Sequence, residues 1–232
     1  MRAADLPEIR GLPLFESMAA SSFDTMMLAA YFQIFPPQVE LIREGDPADF
    51  LYIVVDGCVE LFARSNNREA TFGMVLANGT FILAAVLKDA AYLMSARTST
   101  RSRVLMIPAE SVRQAFEEDA AFARAIVVEQ ANGYRSVIKE LKALKLRTAV
   151  ERLANRLLRL HAEQGGTGDL TLPHDKRTLA ALLAMTPENL SRAFNTLKPY
   201  GVEVDGPRVR LTDLRSLAVL AKPNPLIDDQ AT

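Results

Sequence analysis

The sequence predicts an α+β fold with an N-terminal antiparallel β-roll, a long central helix and a C-terminal unit of short helices followed by a hairpin. Short β-rich segments separated by turn residues run from about Val39 to Pro108, as in antiparallel rolls and jelly rolls. Apolar residues at seven-residue spacing mark one long helix between Ala120 and Leu146. Two amphipathic segments and two alternating strands follow, so the order of these patterns indicates the fold class.

The roll is predicted over residues 12–118. Its strands are expected at Val39–Ile42, Phe50–Val55, Val59–Phe62, Thr71–Leu76 and Val104–Ile107. Turn residues such as Asp56-Gly57 and Asn78-Gly79 separate these segments. Before the first strand, Leu14–Ala30 is predicted to be helical.

The central helix is predicted over residues 119–146. Its a and d positions carry an apolar stripe formed by Val127, Tyr134, Val137, Leu141 and Leu144. Such a stripe favours pairing with the same helix of a second copy, and therefore a homodimer. The alternative is packing against its own domain, because about three heptads is near the lower limit for a coiled coil.

A short helix over residues 186–198 is the most informative segment of the chain. Thr186 can cap its first turn, and Pro187 suits the first helical position. One face carries Leu190, Ala193, Phe194 and Leu197, and the opposite face carries Glu188, Ser191, Arg192 and Asn195. A second amphipathic segment, Asp175–Ala184, precedes it by a tight turn, which is the spacing of a helix-turn-helix.

A hairpin is predicted directly after this pair of helices. Gly201–Val204 and Arg208–Leu211 alternate at period two around the turn Asp205-Gly206-Pro207. Two isolated short helices would favour an ordinary helical hairpin with a solvated charged face. The added hairpin favours a winged helix-turn-helix instead.

The winged unit is predicted over residues 147–217, beginning with a helix at Arg147–Leu160. Residues 218–232 are predicted to form a C-terminal tail, of which Pro223–Thr232 is expected to be frayed. Residues 139–222 hold 15 Lys and Arg against 9 Asp and Glu, a balance of +6, so the rest of the chain carries −7. Lys and Arg concentrated in one segment are what neutralisation of nucleic-acid phosphates requires.

Composition limits the remaining classes of protein. No apolar run approaches the ~20 residues of a membrane span, and the N-terminus lacks the apolar stretch of a signal peptide, so we expect a cytoplasmic protein without membrane contact. The single cysteine, Cys58, makes an internal disulfide impossible and cannot supply the four thiolates that usually hold an iron–sulfur cluster, so we expect no such cluster. Two histidines, and no P-loop, GxGxxG or Gly-x-Ser-x-Gly motif, make an enzyme the weakest interpretation.

The order of these parts resembles the CRP/FNR family of bacterial transcription regulators over nearly the whole chain. Residues 44–48, followed by residues 51–57, resemble the roll signature of that family. Glu188 with Ser191-Arg192 matches the Glu-x-x-Ser-Arg pattern of its FNR-like branch, and Leu14-Phe15-Glu16 is similar to the nitric-oxide-responsive DNR and NnrR regulators.

This resemblance implies a cyclic-nucleotide-binding-like roll and a homodimer that reads an inverted repeat of TTGAT-like half-sites and contacts RNA polymerase. Arg192 would donate to guanine and Glu188 would accept from a cytosine amino group. The base-reading set is Glu188, Ser191, Arg192 and Asn195. The set expected on DNA phosphates is Lys176, Arg177, Thr186, Asn189, Lys198 and Arg208.

The chain departs from its cyclic-nucleotide-binding relatives within the roll. They carry Gly-Glu-Leu and later Arg-Ser or Arg-Thr, whereas this chain has Leu83-Ala84-Ala85 and Met94-Ser95. Burying a cyclic phosphate without a compensating cation would cost several kcal/mol. We therefore expect no physiological affinity for cyclic AMP.

A cluster of apolar residues in the roll is the candidate site for an effector. Haem or another apolar effector could occupy a pocket lined by Phe81, Leu83, Val86, Leu87, Tyr92 and Met94. The favoured alternative is that these residues fill the core of the roll. A haem ligand would have to be His161, His174, Tyr92, a methionine or Cys58.

Two further alternatives stay open at this point. Cys58 is either a redox-sensitive thiol or, more commonly for such a position, an inert small apolar residue. The chain as a whole is either a dimeric, effector-controlled regulator, which we favour, or a small-molecule-binding module whose winged helix contacts proteins. Sequence-specific DNA binding distinguishes the last two.

Overall fold

The computed structural model describes residues 2–66 and 68–229 of the chain. The chain divides into two compact units, unit 1 (Met1–Gly133) and unit 2 (Tyr134–Thr232). This division falls inside the long helix, so the predicted domain limits at residues 118 and 146 stay predictions.

Unit 1 is an antiparallel roll. Its strands are β1 (Tyr31–Phe35), β2 (Glu40–Ile42), β3 (Phe50–Asp56), β4 (Cys58–Ser65), β5 (Arg68–Leu76), β6 (Thr80–Phe81), β7 (Ser95–Thr98) and β8 (Ser102–Pro108). Its helices are α1 (Leu6–Arg10), α2 (Ala20–Ala29), α3 (Leu83–Lys88), α4 (Ala109–Glu118) and α5 (Ala120–Leu146), which continues into unit 2. The strands pair antiparallel in the orders β1-β8-β3-β6 and β2-β7-β4-β5. The predicted roll is thereby confirmed.

The core of unit 1 holds the first turns of α5. Phe122 is fully buried, and its ring stacks on Phe15 at a centroid distance of 6.1 Å. The Asp119 carboxylate accepts the backbone N–H groups of Phe122 at 3.0 Å and Ala19 at 2.8 Å, and these bonds lower the pKa of Asp119. The helix therefore starts at a fixed place on the roll.

The structure corrects several predicted boundaries in unit 1. Strands β1, β6 and β7 lie outside the predicted set, and each pairs with strands that are distant in the sequence. The helix predicted over Leu14–Ala30 is wrong in its first part, since α2 begins at Ala20. Leu14, Phe15 and Met18 are all buried, and turns rather than a helix place them in the core.

Unit 2 is a winged helix-turn-helix, as predicted. Its elements are α6 (Ala149–Glu163), β9 (Asp169–Thr171), α7 (Lys176–Leu182), α8 (Pro187–Leu197), β10 (Val202–Asp205), β11 (Arg208–Leu211), α9 (Leu214–Ala221) and α10 (Pro225–Asp228). The strands form an antiparallel sheet in the order β10-β11-β9. Helix α6 begins two residues later than predicted, because Thr148 and Glu151 form a capping box in which the Thr148 hydroxyl accepts the Glu151 N–H.

The expectation of a frayed C-terminal tail is wrong for the described residues. Helix α9 extends to Ala221, and α10 follows at Pro225–Asp228. The Asp228 carboxylate forms an ion pair with Arg147, whose side chain is 8% exposed. Residues 230–232 of the predicted tail lie outside the described residues.

Helix α5 is the longest helix described, with 27 residues. Lys139, Glu140, Lys142 and Lys145 interrupt its apolar positions. Among residues 2–66 and 68–229, no helix combines the length and the apolar character that crossing a membrane requires.

Gly57 connects β3 to β4, and its replacement tests the packing of unit 1 around this connection. Gly57 has φ +93°, and a Cβ built there would lie 2.4 Å from the Ser102 Oγ. We expect Gly57→Ala to destabilise unit 1 by about 1–3 kcal/mol, measured as a lower midpoint of urea unfolding. Gly73→Ala, where a Cβ meets nothing within 4 Å, serves as the control, and equal midpoints for the two variants would contradict this account of the turn.

Candidate nucleic-acid interface

Helices α7 and α8 form the two helices of the motif, and each begins with a side-chain cap. The Asp175 carboxylate accepts the Thr178 N–H at 2.7 Å, and the Thr186 hydroxyl accepts the Asn189 N–H at 3.2 Å. In the turn between the helices, Ala184 has φ +49° and the Met185 N–H donates to the carbonyl of Ala180. The caps and the turn set the start of α8 within unit 2.

Helix α8 has one buried and one exposed face. The buried face consists of Leu190, Ala193, Phe194 and Leu197, each less than a tenth exposed. The exposed residues include all six that the sequence assigns to DNA on this helix and at its end: Glu188, Asn189, Ser191, Arg192, Asn195 and Lys198. The structure therefore places the four candidate base-reading side chains on one accessible helix.

Hydrogen bonds at the start of α8 orient the side chains of Glu188 and Ser191. The Thr186 hydroxyl and the backbone N–H of Glu188 bond the Glu188 carboxylate, and this lowers the pKa of Glu188, with a smaller effect of the Arg192 charge. An ionised carboxylate only accepts hydrogen bonds. The Ser191 hydroxyl donates to the Pro187 carbonyl at 3.0 Å. The ionised Glu188 carboxylate is thus suited to accept a hydrogen bond from an amino group of a binding partner.

The basic side chains predicted to contact DNA phosphates are exposed on α7, just after α8, and on the wing. Lys176 and Arg177 start α7, Lys198 follows α8, and Arg208 begins β11 of the wing. Within the part of the chain that the structure describes, no salt bridge joins any of these four, or Arg192, to a carboxylate, whereas Arg210 pairs with Asp169. Their charges are therefore available to an anionic partner.

The apolar stripe predicted on α5 is exposed in the single chain. Val127 is 59% exposed and Tyr134 is 69% exposed. Val137, Leu141 and Leu144 are at least 44% exposed. Val128, Ile138 and Leu146, which lie outside the predicted stripe, are also exposed on this helix.

Sequence comparisons match both units to known families. The cyclic nucleotide-binding domain matches residues 32–119, and the Crp-like helix-turn-helix domain matches residues 151–220. The chain belongs to the CRP/FNR family of transcription regulators. It is a DNA-binding regulator with an effector-binding domain, and it is not an enzyme.

Individual relatives agree with this membership in the CRP/FNR family. The CRP-like cAMP-activated global transcriptional regulator of Mycobacterium tuberculosis is 25% identical over 195 residues, 81% of this chain and 87% of the relative. A regulatory protein of Silicibacter pomeroyi is 27% identical, with TM-score 0.58 over 96% of this chain and 100% of that chain. DNR from Pseudomonas aeruginosa shares the fold at 20% identity, with TM-score 0.51 over 95% and 99% of the two chains. The narrower DNR and NnrR assignment stays a prediction.

The residues proposed to line an effector pocket of this CRP/FNR regulator lie mainly in the core. Phe81, Leu83, Val86 and Tyr92 are at most 4% exposed, Leu87 packs partly against them, and Met94 is half-buried. The Phe81 ring stacks on Tyr52 at 5.3 Å, and the Tyr92 hydroxyl donates to the Phe50 carbonyl at 3.2 Å. Their packing explains their apolar character, and their role toward an effector stays a prediction.

Across residues 2–66 and 68–229, no group of three or more His, Cys, Asp and Glu could hold a metal ion. The His161 Nε2 accepts the Gly168 N–H at 2.9 Å, and His174 is half-buried. Both histidines belong to unit 2 rather than to the roll.

The reactivity of the Cys58 thiol distinguishes a redox-sensitive cysteine from an inert apolar one. Cys58 is 7% exposed, and burial, with a smaller effect of Glu60, raises the pKa of its thiol to about 11. On the order of one thiol in a thousand is ionised at pH 8, and only the thiolate is reactive. We expect slow labelling of the native protein by a disulfide reagent at pH 8 and rapid labelling in guanidinium chloride. Rapid stoichiometric labelling of the native protein would contradict an inert Cys58.

Proposed function

We propose that this regulator acts as a homodimer that reads an inverted repeat of TTGAT-like half-sites, under the control of an effector at the roll. The observation that carries the proposal is the exposed trio of Glu188, Ser191 and Arg192 on α8, above a fully packed apolar face. A polar face of this kind on the second helix of a helix-turn-helix is suited to a major groove.

The exposed side chains of α8 can form hydrogen bonds with the edges of DNA bases. The Arg192 guanidinium can donate two hydrogen bonds to guanine O6 and N7, and the ionised Glu188 can accept from a cytosine amino group. Ser191 and Asn195 would add supporting contacts to the same groove. Lys176, Arg177, Thr186, Asn189, Lys198 and Arg208 would contact phosphates and fix the orientation. Of these, the Thr186 hydroxyl also serves as the cap of α8.

The exposed stripe of α5 supports the homodimer. Val127, Tyr134, Val137, Leu141 and Leu144 fall on a and d positions, and all are exposed in the single chain. Burial of such a stripe against its own copy would remove apolar surface from water. A two-fold dimer would then present two α8 helices about one turn of DNA apart.

Cyclic AMP does not fit the roll of this chain. The M. tuberculosis relative is cAMP-activated, and the anionic phosphate of that ligand needs a cation. Here Ala84 stands where such relatives carry the Glu of Gly-Glu-Leu, and Met94 stands where they carry the Arg of Arg-Ser or Arg-Thr. Arg97 is already paired with Glu60 and Glu69. We therefore propose a different effector.

Haem also finds little support among the residues of the roll. Tyr92 is hydrogen-bonded to the backbone of Phe50, and Cys58 is buried with a neutral thiol. We propose an effector that is neither cyclic AMP nor an iron–sulfur cluster, with haem kept as a candidate for spectroscopy. Contact with RNA polymerase and action in the bacterial cytoplasm belong to the same proposal, since promoter DNA lies there.

Replacement of Arg192 tests base reading, measured as binding to DNA that the wild-type protein selects from a random pool. We expect Arg192→Ala to lose about 1–3 kcal/mol of preference for guanine at one position of each half-site. Arg177→Ala is the matched control, because a phosphate contact should weaken binding to all sequences and reduce the salt slope by about one. Selection of no sequence by the wild-type protein would favour the protein-contact module instead.

Leu141 tests the homodimer. We expect Leu141→Glu to convert the dimer to a monomer and to weaken binding to paired half-sites, because a buried unpaired carboxylate disfavours association. Sedimentation equilibrium measures the mass. Leu28→Glu, at a side chain that is 88% exposed in unit 1, should leave the dimer intact, and a monomeric wild-type protein would contradict the proposal.

A further inference from the structure

The last described residues of the chain are held onto the base of α5. Residues 222–229, here called the C-terminal strap, follow the residues matched by the helix-turn-helix family. The Arg147 guanidinium donates to both carboxylate oxygens of Asp228, at 2.7 and 2.5 Å. The Lys139 Nζ donates to the Asp229 carbonyl at 2.6 Å. Both cations belong to α5 or to its end.

The strap is also ordered within itself and against α6. The Asn224 N–H donates to Asp228, and the Asn224 side chain accepts the N–H of Leu226. Lys222 pairs with Glu151 in the first turn of α6 at 3.1 Å. Contacts to two helices therefore hold a segment of only eight residues.

The strap spans the joint between α5 and α6. Helix α5 ends at Leu146 and α6 starts at Ala149, so the joint consists of Arg147 and Thr148, and Thr148 has an extended backbone (φ −66°, ψ 162°). The Arg147 side chain is 8% exposed and that of Asp228 is 24% exposed. A bidentate pair with this burial is geometrically specific, and loss of either partner leaves a charge poorly solvated.

Arg152 connects this joint to the turn before α8. Its guanidinium donates to the Arg147 carbonyl at 3.0 Å, to the Leu183 carbonyl at 2.9 Å and to the Ala184 carbonyl at 3.3 Å. Leu183 and Ala184 form the turn between α7 and α8. One side chain thus contacts the joint and the turn at the same time.

We propose that the C-terminal strap is a positioning device for DNA reading. By fixing the joint between α5 and α6, and through Arg152 the turn before α8, it sets the distance between the two α8 helices of a dimer. This inference rests on the proposed function, because a distance between reading helices matters only to a dimer on paired half-sites. Arg147, Arg152 and Asp228 act here as positioning residues without touching DNA.

Asp228→Asn tests the strap on duplexes with two half-sites at the best spacing, with one base pair added or removed, and with a single half-site. We expect the preference for the best spacing to fall about tenfold, as for loss of a charged hydrogen bond. Single half-site affinity should stay unchanged. Asp24→Asn, the same charge change at an exposed residue of unit 1, should behave as wild type, and Asp228→Glu should retain most of the preference.

Hydrogen exchange adds a readout that does not need DNA. In Asp228→Asn, the amides of residues 146–152 and of residues 183–186 should exchange faster than in the wild-type protein. Faster exchange confined to α10 would overturn the link through Arg152. If Asp228→Asn lowers the thermal midpoint, Arg147→Lys, which keeps the charge but loses the bidentate pair, must give the same change in spacing preference.

The remaining outcomes separate the two proposals. An Asp228→Asn protein that discriminates spacing as sharply as wild type would overturn the strap and leave the proposed function intact. A wild-type protein with no preference for paired over single half-sites would overturn the proposed function, and the strap proposal with it.

Discussion

The packing of one face of α8 is the constraint on which the rest of the structure depends. Leu190, Ala193, Phe194 and Leu197 are buried in unit 2, so the helix cannot rotate without exposing apolar surface, at about 25 cal/mol per Å². Glu188, Ser191 and Arg192 must then face outward. The caps at Asp175 and Thr186 and the turn at Ala184 fix where the helix starts. The outward placement of the candidate base-reading side chains is therefore a consequence of core packing.

Helix α5 differs from α8 in that many of its apolar side chains are exposed. Phe122 and Ile126 are buried in the core of unit 1, and near its other end Lys139 contacts the strap, while Arg147, just beyond it, pairs with Asp228. Between these points the stripe side chains are at least 44% exposed and lack a full cover among the described residues: Val127, Tyr134, Val137, Leu141 and Leu144. A second copy would give them one, and the strap would then hold the reading unit of each copy at a fixed joint. In the proposed dimer, the stripe and the strap would serve one geometrical requirement, a fixed distance between the two α8 helices.

The sequence predicted the parts of the fold that have strong local signals. The amphipathic period of α8, the glycine turn of the wing and the heptad spacing of α5 each depend on nearby residues. The sequence did not predict β1, β6 or β7, whose pairing is decided by distant strands. It also did not predict the contacts of Arg147, Arg152 and Asp228, because an ion pair between residues 81 positions apart leaves no local pattern. The candidate base-reading residues followed from spacing, whereas the effector residues cannot be separated from ordinary core.

Hydroxyl-radical footprinting on DNA selected by the wild-type protein tests the central claim most directly. Two copies of α8 that read an inverted repeat would protect two equivalent tracts, related by a two-fold axis and centred about 34–36 Å apart. The account predicts this symmetric pattern, with the half-site sequence repeated in opposite orientation. A single protected tract, or protection with no shared sequence, would contradict it.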